Sequence, residues 1–404
     1  MSLYSGLILC FALLYLLITT IILLRNRKDL KPLNLLSPKQ HNSSSSNPHI
    51  AVCIPARNEE SVIGRNLDHL IQQNYSNYSV WILDDESTDH TLEIVTRYKR
   101  QHPNLVHIIK GAPLPDGWLG KNWACHQLAQ SCHGQWLLFI DADVWLAKNT
   151  LSSMAKRIRH YSLDAITVWP RQHLYSFAEK LLLPLMYYAL VSALPATYVY
   201  RSPNWLPLGL KNRFAPAFSA ACGQFIALSR AAYQAIGGHS SVRSQVVEDV
   251  ALARRIKAKG YTIRMFQGNP GVHCRMYNSE KEIREGFRKN FLAGFNYNIP
   301  VFLLSAVVHL LVFVAPFLLF PYAAVISGQY DVAAGSFVCI ALILAHRLLL
   351  SIWFKWPFWP ALLHPLAVLW YQFLGALALG DYMRKRSISW KGRVLNSGES
   401  SRPN

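Results

Sequence analysis

The first apolar stretch places the strongest constraint on the fold of this chain. Residues Leu3 to Leu24 form a run of 22 residues without a charged side chain, and as a helix this run would extend about 33 Å, enough to cross a bilayer. It is too long for the apolar core of a signal peptide, and no small-residue cleavage site follows it. Arg25, Arg27 and Lys28 come directly after it, so the positive-inside rule predicts that this end faces the cytoplasm.

Composition favours a membrane protein over a soluble or disordered one. Of the 404 residues, 51% are hydrophobic and 16% are charged, against roughly 25% charged in an average soluble protein. The net charge of +19 would suit either nucleic acid or anionic lipid as a partner. Because the basic residues do not form one block and the chain carries no nucleic-acid-binding motif, we expect a lipid bilayer as partner and no nucleic acid.

The cysteines indicate neither zinc nor a disulfide framework. The chain has seven cysteines and no C-x-x-C pair, and the dipeptides Cys125-His126 and Cys132-His133 fit none of the usual zinc spacings. We therefore expect unpaired, buried thiols in a reducing compartment.

The middle of the chain alternates between strand and helix patterns, which predicts an α/β domain with a mostly parallel sheet. The predicted strands are 49–55, 80–83 and 135–140, and the predicted helices are 61–73, 89–99 and the one that begins at Glu248 and is stopped by Gly260. Acidic pairs follow two of the strands, at Asp84-Asp85 and Asp141-Ala142-Asp143. In such sheets ligands bind at the carboxyl ends of the strands, so both clusters are candidate site residues.

The C-terminal third returns to membrane composition. Its long apolar stretches are Phe302–Ile326, Val332–Phe354 and Ala361–Gly380, and its basic tail carries Arg384, Lys385, Arg386, Lys391 and Arg393. A cytoplasmic domain, three crossings and a cytoplasmic tail cannot all hold, so we expect one stretch to lie in the interface or to re-enter, near the aromatic segment 353–360. The expected organisation is an N-terminal membrane helix (1–25), a basic and Ser-rich linker (26–48), a cytoplasmic catalytic domain (49–298), two to three membrane helices (299–381) and a basic tail (382–404).

A further uncharged stretch, Leu181 to Tyr200, is long enough to cross a membrane. A crossing there would put Asp141 on the opposite side of the membrane from Glu248 and Asp249, which are expected in the same site. We therefore interpret the stretch as an apolar face that lies on the membrane and admits a lipid; the alternative is a buried core helix.

Two acidic groups carry the candidate chemistry. Asp141 and Asp143 offer the carboxylate oxygens that Mg²⁺ or Mn²⁺ prefers, and such ions are often held by one or two carboxylates together with substrate phosphates. Glu248 and Asp249 begin a helix, where acids are favoured by the helix dipole alone. Either group taken alone would be a weak signal.

The order of the motifs is more specific than any one of them. The segment IPARNEE (Ile54–Glu60) is followed by DDESTDHT (Asp84–Thr91), then by DAD at 141 and ED at 248. In this order the set resembles family 2 of the glycosyltransferases, which have the GT-A nucleotide-sugar fold. The resemblance covers roughly residues 49–295 and the flanking membrane segments.

The resemblance implies roles for individual residues. Pro55, Arg57, Asn58 and Glu59 would contact the nucleotide, Asp84 and Asp85 would lie near the base and ribose, and Asp141 and Asp143 would bind the metal that holds the diphosphate. Asp249 would be the general base, with Glu248 beside it. A positioned carboxylate suits this chemistry because a sugar hydroxyl or an alcohol is a poor nucleophile.

A finer resemblance is to the bacterial branch of hopene-associated and carotenoid glycosyltransferases. It rests on the segments PLPDGWLGKNWACHQLA (113–129), GQFIALSR to AKG (223–260), CRMY (274–277), GFRKN (286–290) and WKGR (390–393). Lys121, in the first of these, is a candidate diphosphate contact; the alternative is an ordinary surface lysine.

One departure bears on the acceptor. The QxxRW motif of processive polysaccharide synthases is absent, which argues for a single transfer. Arg275, Tyr277, Arg288 and Lys289 are candidates for the acceptor side or for lipid phosphates, although a cationic surface near the membrane is the alternative. His273 is a weaker candidate for a third metal ligand.

The sequence thus predicts an inverting, metal-dependent glycosyltransferase of the inner membrane that moves a sugar from a nucleotide-diphosphate donor to a lipid, and the branch resemblance implies a terpenoid alcohol. Transfer to a polyprenyl phosphate carrier is a second possibility, and a non-catalytic membrane scaffold or a transporter is a third. No GxGxxG, Walker P-loop or GxSxG motif occurs, which argues against dinucleotide, ATP-type and serine-nucleophile sites.

Overall fold

A computed structural model describes residues 3–34, 47–384, 386, 388–390 and 393–395. Most of the predicted Ser-rich linker, together with Lys385 and with Lys391 of the WKGR segment, lies outside the described residues. The chain divides into two compact units. A helical unit comprises Met1–Asp29, Leu174–Pro195 and Tyr277–Ile388, and an α/β unit comprises Leu30–His173, Ala196–Met276 and Ser389–Asn404.

The helices are α1 (Leu3–Asp29), α2 (Ile63–Ile71), α3 (Thr91–Gln101), α4 (Gly120–Ser131), α5 (Thr150–Tyr161), α6 (Phe177–Ala193), α7 (Thr197–Tyr200), α8 (Leu208–Phe214), α9 (Arg230–Ala235), α10 (Glu248–Ala258), α11 (Glu280–Gly294), α12 (Ile299–Phe313), α13 (Ala315–Pro321), α14 (Tyr330–Phe354) and α15 (His364–Met383). The strands are β1 (Ile50–Ala56), β2 (Tyr78–Asp84), β3 (Val106–Lys110), β4 (Trp136–Ile140), β5 (Val144–Leu146), β6 (Ala165–Trp169), β7 (Arg171–Gln172), β8 (Phe225–Ser229), β9 (Ile263–Gln267), β10 (Val272–Cys274), β11 (Ile388–Trp390) and β12 (Arg393–Leu395).

The α/β unit is built on a seven-stranded sheet with the order β3-β2-β1-β4-β8-β6-β9. Strand β8 is antiparallel to both neighbours, and the other pairs in this sheet are parallel. The predicted mostly parallel sheet is therefore confirmed. Strands β1 and β4 are central and almost wholly buried, which explains why both are continuous apolar runs in the sequence. A second, three-stranded sheet has the order β5-β10-β7.

Among the residues that the structure describes, four helices of the helical unit are long and apolar enough to cross a membrane: Tyr4–Asp29, Ile299–Ile326, Tyr330–Phe354 and His364–Met383. These correspond to the predicted N-terminal helix and to three helices after the catalytic motifs. The helix from Ile299 is interrupted at Val314, where α12 ends and α13 begins. Pro316 lies in the first turn of α13 and lacks a backbone hydrogen-bond donor.

Helices α1 and α14 run in the same direction. Near their beginnings, Gly335 approaches Leu9, whose Cδ1 atom would lie 3.3 Å from a Cβ placed on the glycine. Further along both helices, Thr20 Oγ1 lies 2.7 Å from His346 Nε2. Because residue numbers increase together along the contact, the carboxyl-terminal ends of the two helices lie on the same side of the helical unit.

The interpretation of residues 181–200 as an apolar face on the membrane is wrong for helix α6, which covers most of the stretch. Leu181, Leu182 and Tyr187 are almost fully buried in the helical unit, and Asn26 Nδ2 of α1 donates to the carbonyl oxygens of Val191 and Leu194. The helix is apolar all round because it is packed on several sides. The alternative, a buried core helix, is what the structure contains.

The helical unit also contains two segments from the range expected for the catalytic domain, and the domain boundaries themselves stay a prediction. Residues 174–195 and 277–298, which the sequence assigned to the catalytic domain, pack with the helical unit. Helix α11 shows the reason. Its apolar face carries Phe287 and Phe291, and both rings contact Tyr371 of α15.

Candidate active site

The antiparallel pairing of β4 and β8 brings two distant segments together. Ile140, the last residue of β4, pairs with Phe225, the first residue of β8. Consequently Asp141, which follows β4, lies beside Gly223 and Gln224, which precede β8, and Asp141 N lies 3.4 Å from the Gln224 carbonyl oxygen. The sheet thus places a carboxylate of the DAD motif next to a glycine some 80 residues later in the chain.

Helix α4 brings Lys121 to the same place. Asn122, the next residue, is buried, and its Nδ2 atom lies within hydrogen-bonding distance of three backbone carbonyl oxygens in the segment before α10, those of Val242, Arg243 and Gln245. The Leu119 amide also donates to the Arg243 carbonyl oxygen at 2.9 Å. These bonds hold the start of α4 against the segment that leads into α10, and thereby set Lys121 beside Glu248.

The Lys121 ammonium group bridges two carboxylates. Its Nζ atom lies 2.8 Å from Asp141 Oδ1 and 3.0 Å from Glu248 Oε1. Burial acts to lower the pKa of Lys121, but the charges of Asp141 and Glu248 outweigh it and hold that pKa well above its usual range. The lysine therefore stays cationic between the acids of the two motifs, and the alternative of an ordinary surface lysine is not supported.

Asp249 is held by backbone amides. Its Oδ2 atom accepts from Gly223 N at 2.6 Å, and its Oδ1 atom accepts from its neighbour Val250 N at 2.8 Å. Burial and then the adjacent charge of Glu248 raise the pKa of Asp249 to about 7, while Lys121 and the two amides act to lower it. A carboxylate whose pKa lies near neutrality is suited to accept a proton at physiological pH.

Gly223 lies in contact with three charged side chains, those of Lys121, Glu248 and Asp249. A Cβ placed on it would lie 3.1 Å from Glu248 Oε1, 3.2 Å from Lys121 Nζ and 3.3 Å from Asp249 Oδ2. Only a residue without a side chain lets the three charged groups approach so closely. Sequence reasoning did not assign Gly223 or Asn122 a role, although Gly223 begins one of the recognised segments and Asn122 lies within another.

The second aspartate of the DAD motif faces β10. Cys274 hydrogen-bonds to Asp143, and burial followed by the nearby acids raises the pKa of the Cys274 thiol well above its usual range. Asp141 and Asp143 are a pair of hard oxygen donors, as Mg²⁺ or Mn²⁺ requires. Within the described residues no group of three or more His, Cys, Asp or Glu side chains is arranged to hold a metal. Two carboxylates suit an ion that takes its remaining ligands from substrate phosphates and water.

His273 gains no support as a third metal ligand. Its Nδ1 atom lies 3.2 Å from His173 Nε2, and its Nε2 atom lies 2.8 Å from the Pro270 carbonyl oxygen. Both ring nitrogens thus have partners next to the second sheet, and the two histidines pack against Trp145 of β5.

The loops after β1 and β2 are tied together. Arg57 Nη1 donates to the Asp85 carbonyl oxygen at 2.5 Å and lies 3.5 Å from Glu86 Oε2. Asn58 N donates to Ser87 Oγ, and Asn58 Oδ1 accepts from Thr88 N. These bonds bring together the predicted nucleotide-contacting turn and the predicted base and ribose acids.

Glu59 and Asp84 lie in or next to these two loops. Glu59 N donates to Thr91 Oγ1 at 2.8 Å. Asp84 lies at the end of β2 opposite Ala56 of β1; its side chain is buried, and its Oδ1 atom has no hydrogen-bond partner. An unpaired buried carboxylate oxygen is costly, and such a group suits a ligand that donates to it. Pro55 occupies the adjacent position in β1.

The four predicted acceptor-side residues are divided between the two units. Arg275 belongs to the α/β unit, and Tyr277, Arg288 and Lys289 belong to the helical unit. Tyr277 is buried against Phe287, and Arg288 is paired with Asp381 of α15. These contacts stabilise the helical unit, and a role toward the acceptor stays a prediction for all four.

The family model "Glycosyl transferase family 2" matches residues 51–237. This range contains β1 to β4, β8 and the DAD motif, but it ends before Glu248 and Asp249.

Two curated relatives share the name 4,4'-diaponeurosporenoate glycosyltransferase. The protein from Staphylococcus aureus (strain USA300) is 27% identical over 252 residues, which are 61% of this chain and 61% of the relative. The protein from Staphylococcus haemolyticus (strain JCSC1435) is 26% identical over 279 residues, or 66% of this chain and 67% of the relative. The match thus spans about three-fifths of the length of the first relative.

Among solved structures, a mannosyltransferase from Pyrobaculum calidifontis in complex with GDP-Man and Mn²⁺ has a similar fold. The TM-score is 0.55 at 16% identity, and the alignment covers 94% of this chain and 99% of the other.

Proposed function

We propose that this enzyme transfers a sugar, with inversion, from a nucleotide-diphosphate donor to a hydroxyl group of a lipid. The match of residues 51–237 to family 2 of the glycosyltransferases and the GT-A fold of the α/β unit support the proposal. One observation carries the proposal. Asp249, with a pKa raised to about 7, is held by the amides of Gly223 and Val250 beside the Lys121 bridge.

The reaction is a single displacement. Asp249 accepts the proton of the acceptor hydroxyl as the hydroxyl oxygen forms a bond to the anomeric carbon. The bond between that carbon and the diphosphate oxygen breaks, and its electron pair leaves with the nucleoside diphosphate. Because one nucleophile attacks from the face opposite the leaving group, the configuration at the anomeric carbon is inverted.

Charge on the leaving diphosphate has to be neutralised. Lys121 supplies one positive charge beside Asp141, and a preorganised cation of this kind stabilises developing negative charge. Asp141 and Asp143 would hold Mg²⁺ or Mn²⁺, which when bound supplies further positive charge to the diphosphate. The similar mannosyltransferase contains Mn²⁺, which supports a divalent cation for this enzyme too.

For the donor, we assign the nucleotide to the tied loops after β1 and β2. Pro55, Arg57, Asn58 and Glu59 would contact it, and Asp84 and Asp85 would face the base and ribose. The unpaired Oδ1 atom of Asp84 supports this because both uracil and guanine present ring N–H donors. The similar mannosyltransferase binds GDP-Man; the sugar of the present enzyme is a matter for experiment.

For the acceptor, we favour a terpenoid-type lipid alcohol. The name of the two relatives refers to 4,4'-diaponeurosporenoate, which supports the terpenoid class, and the helical unit offers a membrane environment. Because that name denotes a carboxylate, the choice of an alcohol rests on the proposed role of Asp249 as a base. Transfer to a polyprenyl phosphate is the second candidate. In that case the acceptor is already an anion, and Asp249 would contribute less to the rate. A non-catalytic scaffold is disfavoured by the assembled acids.

We place the enzyme in the inner membrane with the α/β unit in the cytoplasm. The basic end of α1 supports this side, and α14 ends on the same side as α1. The tail then stays cytoplasmic if α15 is the stretch that does not cross. Its packing supports this, because α15 pairs through Asp381 with Arg288 of α11, and α11 carries too many charges to lie in hydrocarbon.

The test is donor-dependent labelling of lipid. Purified full-length enzyme in native lipid extract is given radiolabelled UDP- and GDP-sugars with Mg²⁺ or Mn²⁺, beside the Asp141→Ala and Asp143→Ala variants. We expect label in the organic phase only with wild type and metal. Absence of label with every donor, from folded protein, would count against the proposal.

A second arm compares acceptors. Asp249→Asn should abolish most transfer to a lipid alcohol, because general-base catalysis typically contributes about 10²- to 10⁴-fold, and should have a smaller effect on transfer to a polyprenyl phosphate. Undiminished transfer to the alcohol would show that Asp249 is not the base.

A further inference from the structure

The helical unit contains a polar cluster that the reaction at Asp249 does not use. Its members come from four helices: Thr20 from α1, Tyr188 from α6, His346 and Arg347 from α14, and His364 from α15. Arg347 interacts electrostatically with Tyr188 and with His364. His346 Nε2 lies 2.7 Å from Thr20 Oγ1, and His346 Nδ1 lies 2.7 Å from the Tyr188 hydroxyl. The Tyr188 ring also packs against the rings of His346 and His364 at centroid distances of 5.8 and 6.1 Å.

In part of this cluster, the donor and the acceptor of each hydrogen bond are determined. The Thr20 hydroxyl donates to the Leu16 carbonyl oxygen at 2.6 Å, so His346 Nε2 has to carry the hydrogen that it shares with Thr20. His346 Nδ1 is then an acceptor, and the Tyr188 hydroxyl donates to it. This chain of bonds fixes the tautomer of His346 and holds α1, α6 and α14 together.

Arg347 and His364 are the unsatisfied members. Arg347 is 3% exposed and its Nη1 atom has no hydrogen-bond partner, and His364 is 0% exposed with neither ring nitrogen paired. Within the described part of the chain no carboxylate forms an ion pair with Arg347. A buried guanidinium without a counter-charge costs several kcal/mol, and ionisable groups inside a membrane bundle usually mark a binding site or pathway.

The depth of the cluster restricts what could bind. Thr20 precedes Arg25 by five residues, about 7 Å along a helix. Arg347 precedes the end of α14 by seven residues, about 10 Å along the helix, and Trp353 and Trp356 flank that end. Because basic and aromatic residues mark the membrane interface, the cluster lies just inside the level of the lipid head groups, on the side of the basic end of α1.

We propose that Arg347 and His364 form a binding site for the oxyanionic head of a lipid, a carboxylate or a phosphate whose chain lies in the membrane. The guanidinium offers a planar pair of donors that matches such an anion, and His364 offers a ring N–H. Phe313 packs against the His364 and Tyr188 rings and provides an apolar wall for the first part of the chain. The site does not depend on the proposed transfer reaction.

The test is direct binding to full-length enzyme in neutral maltoside micelles. Radiolabelled oleate probes a carboxylate head, and radiolabelled phosphatidylglycerol probes a phosphodiester head. Oleyl alcohol serves as the uncharged competitor and inorganic phosphate as the competitor without a chain. We expect saturable binding of at least one of the two lipids, and the lipid that binds identifies the source of the anion.

Variants locate the site. Arg347→Gln should weaken binding at least about tenfold, as loss of a charge-assisted hydrogen bond does. His364→Phe, which keeps the ring volume, should weaken it as well and decides the question if Arg347→Gln fails to fold. The matched control is Arg27→Gln, which removes one exposed positive charge from the same side and should leave binding unchanged.

The proposal is overturned by any of four results. The first is that neither lipid binds saturably. The second is that oleyl alcohol competes as well as the charged lipid, and the third is that inorganic phosphate displaces the lipid at the concentrations at which the lipid binds. The fourth is that every folded variant at positions 347 and 364 binds with wild-type affinity.

Discussion

Lys121 Nζ lies 2.8 Å from Asp141 Oδ1 and joins the motif that would bind the metal to the helix that begins with Glu248. The two acids come from segments more than a hundred residues apart in the chain. A charged group that binds next to either Asp141 or Glu248 therefore acts on the same lysine. A diphosphate that draws Lys121 away from Glu248 would also change the electrostatic environment of Asp249.

The pH dependence of the wild-type enzyme tests the state of Asp249. A base has to be unprotonated to act, and its pKa is raised to about 7. The value of kcat/KM should therefore rise with pH up to about 7 and become level above it. A profile that is already level from pH 5 upward would contradict this, because it would indicate a base with an ordinary carboxyl pKa.

Removal of the lysine should move that profile. Lys121 lowers the pKa of Asp249, so Lys121→Gln should shift the acidic limb of kcat/KM to higher pH and reduce kcat by about 10²- to 10³-fold. Steady-state rates between pH 5 and 9 measure both effects. The exposed Lys148→Gln variant is the control, and a limb that stays in place or moves to lower pH would count against the electrostatic link.

Gly223→Ala tests the close approach of the charged groups. The new Cβ would lie 3.1 to 3.3 Å from Glu248, Lys121 and Asp249, so those groups have to move by a few tenths of an ångström. We expect kcat/KM to fall at least about tenfold, since small displacements at a reacting centre are costly, while the Tm changes little.

The control for that variant is Gly294→Ala, where nothing lies within 4 Å of the new Cβ. It should keep full activity. A Gly223→Ala enzyme as active as wild type would show that the spacing of this cluster is not critical.

Labelling of single cysteines tests the orientation of the membrane helices. Tyr330→Cys at the beginning of α14 should react with an impermeant maleimide added to intact spheroplasts, because α14 runs parallel to α1 and would begin on the outer side in the proposed orientation. Arg386→Cys should react only after the membrane is opened, if α15 does not cross. Labelling of both positions from outside would mean that α15 crosses.

The elements that build the sheet were predictable because their signals are local. The apolar run before Asp141 and the helical period after Asp249 can be recognised in short windows, and observed strands such as Ile50–Ala56 fall within two residues of the predicted ends. The acids themselves were found because each follows a strand or begins a helix.

What could not be predicted depends on contacts between distant segments. The role of Gly223 follows from the antiparallel pairing of Ile140 with Phe225, and sequence alone does not reveal which strand reverses. Helix α6 was misinterpreted for a related reason. An all-apolar helix has the same composition whether lipid or protein surrounds it, and only packing against Asn26 distinguishes the two.

The parallel pairing of α1 with α14 has a consequence for how the protein is made. Thr20 leaves the ribosome early, but its partner His346 is synthesised more than 300 residues later. At about 5 to 20 residues per second, the first helix has to wait roughly 15 to 60 seconds in the membrane before its neighbour arrives. During that interval residues 30–276 are synthesised, and they contain all seven strands of the large sheet, so the chain of this sheet is complete before the last helices that pack on α1 exist.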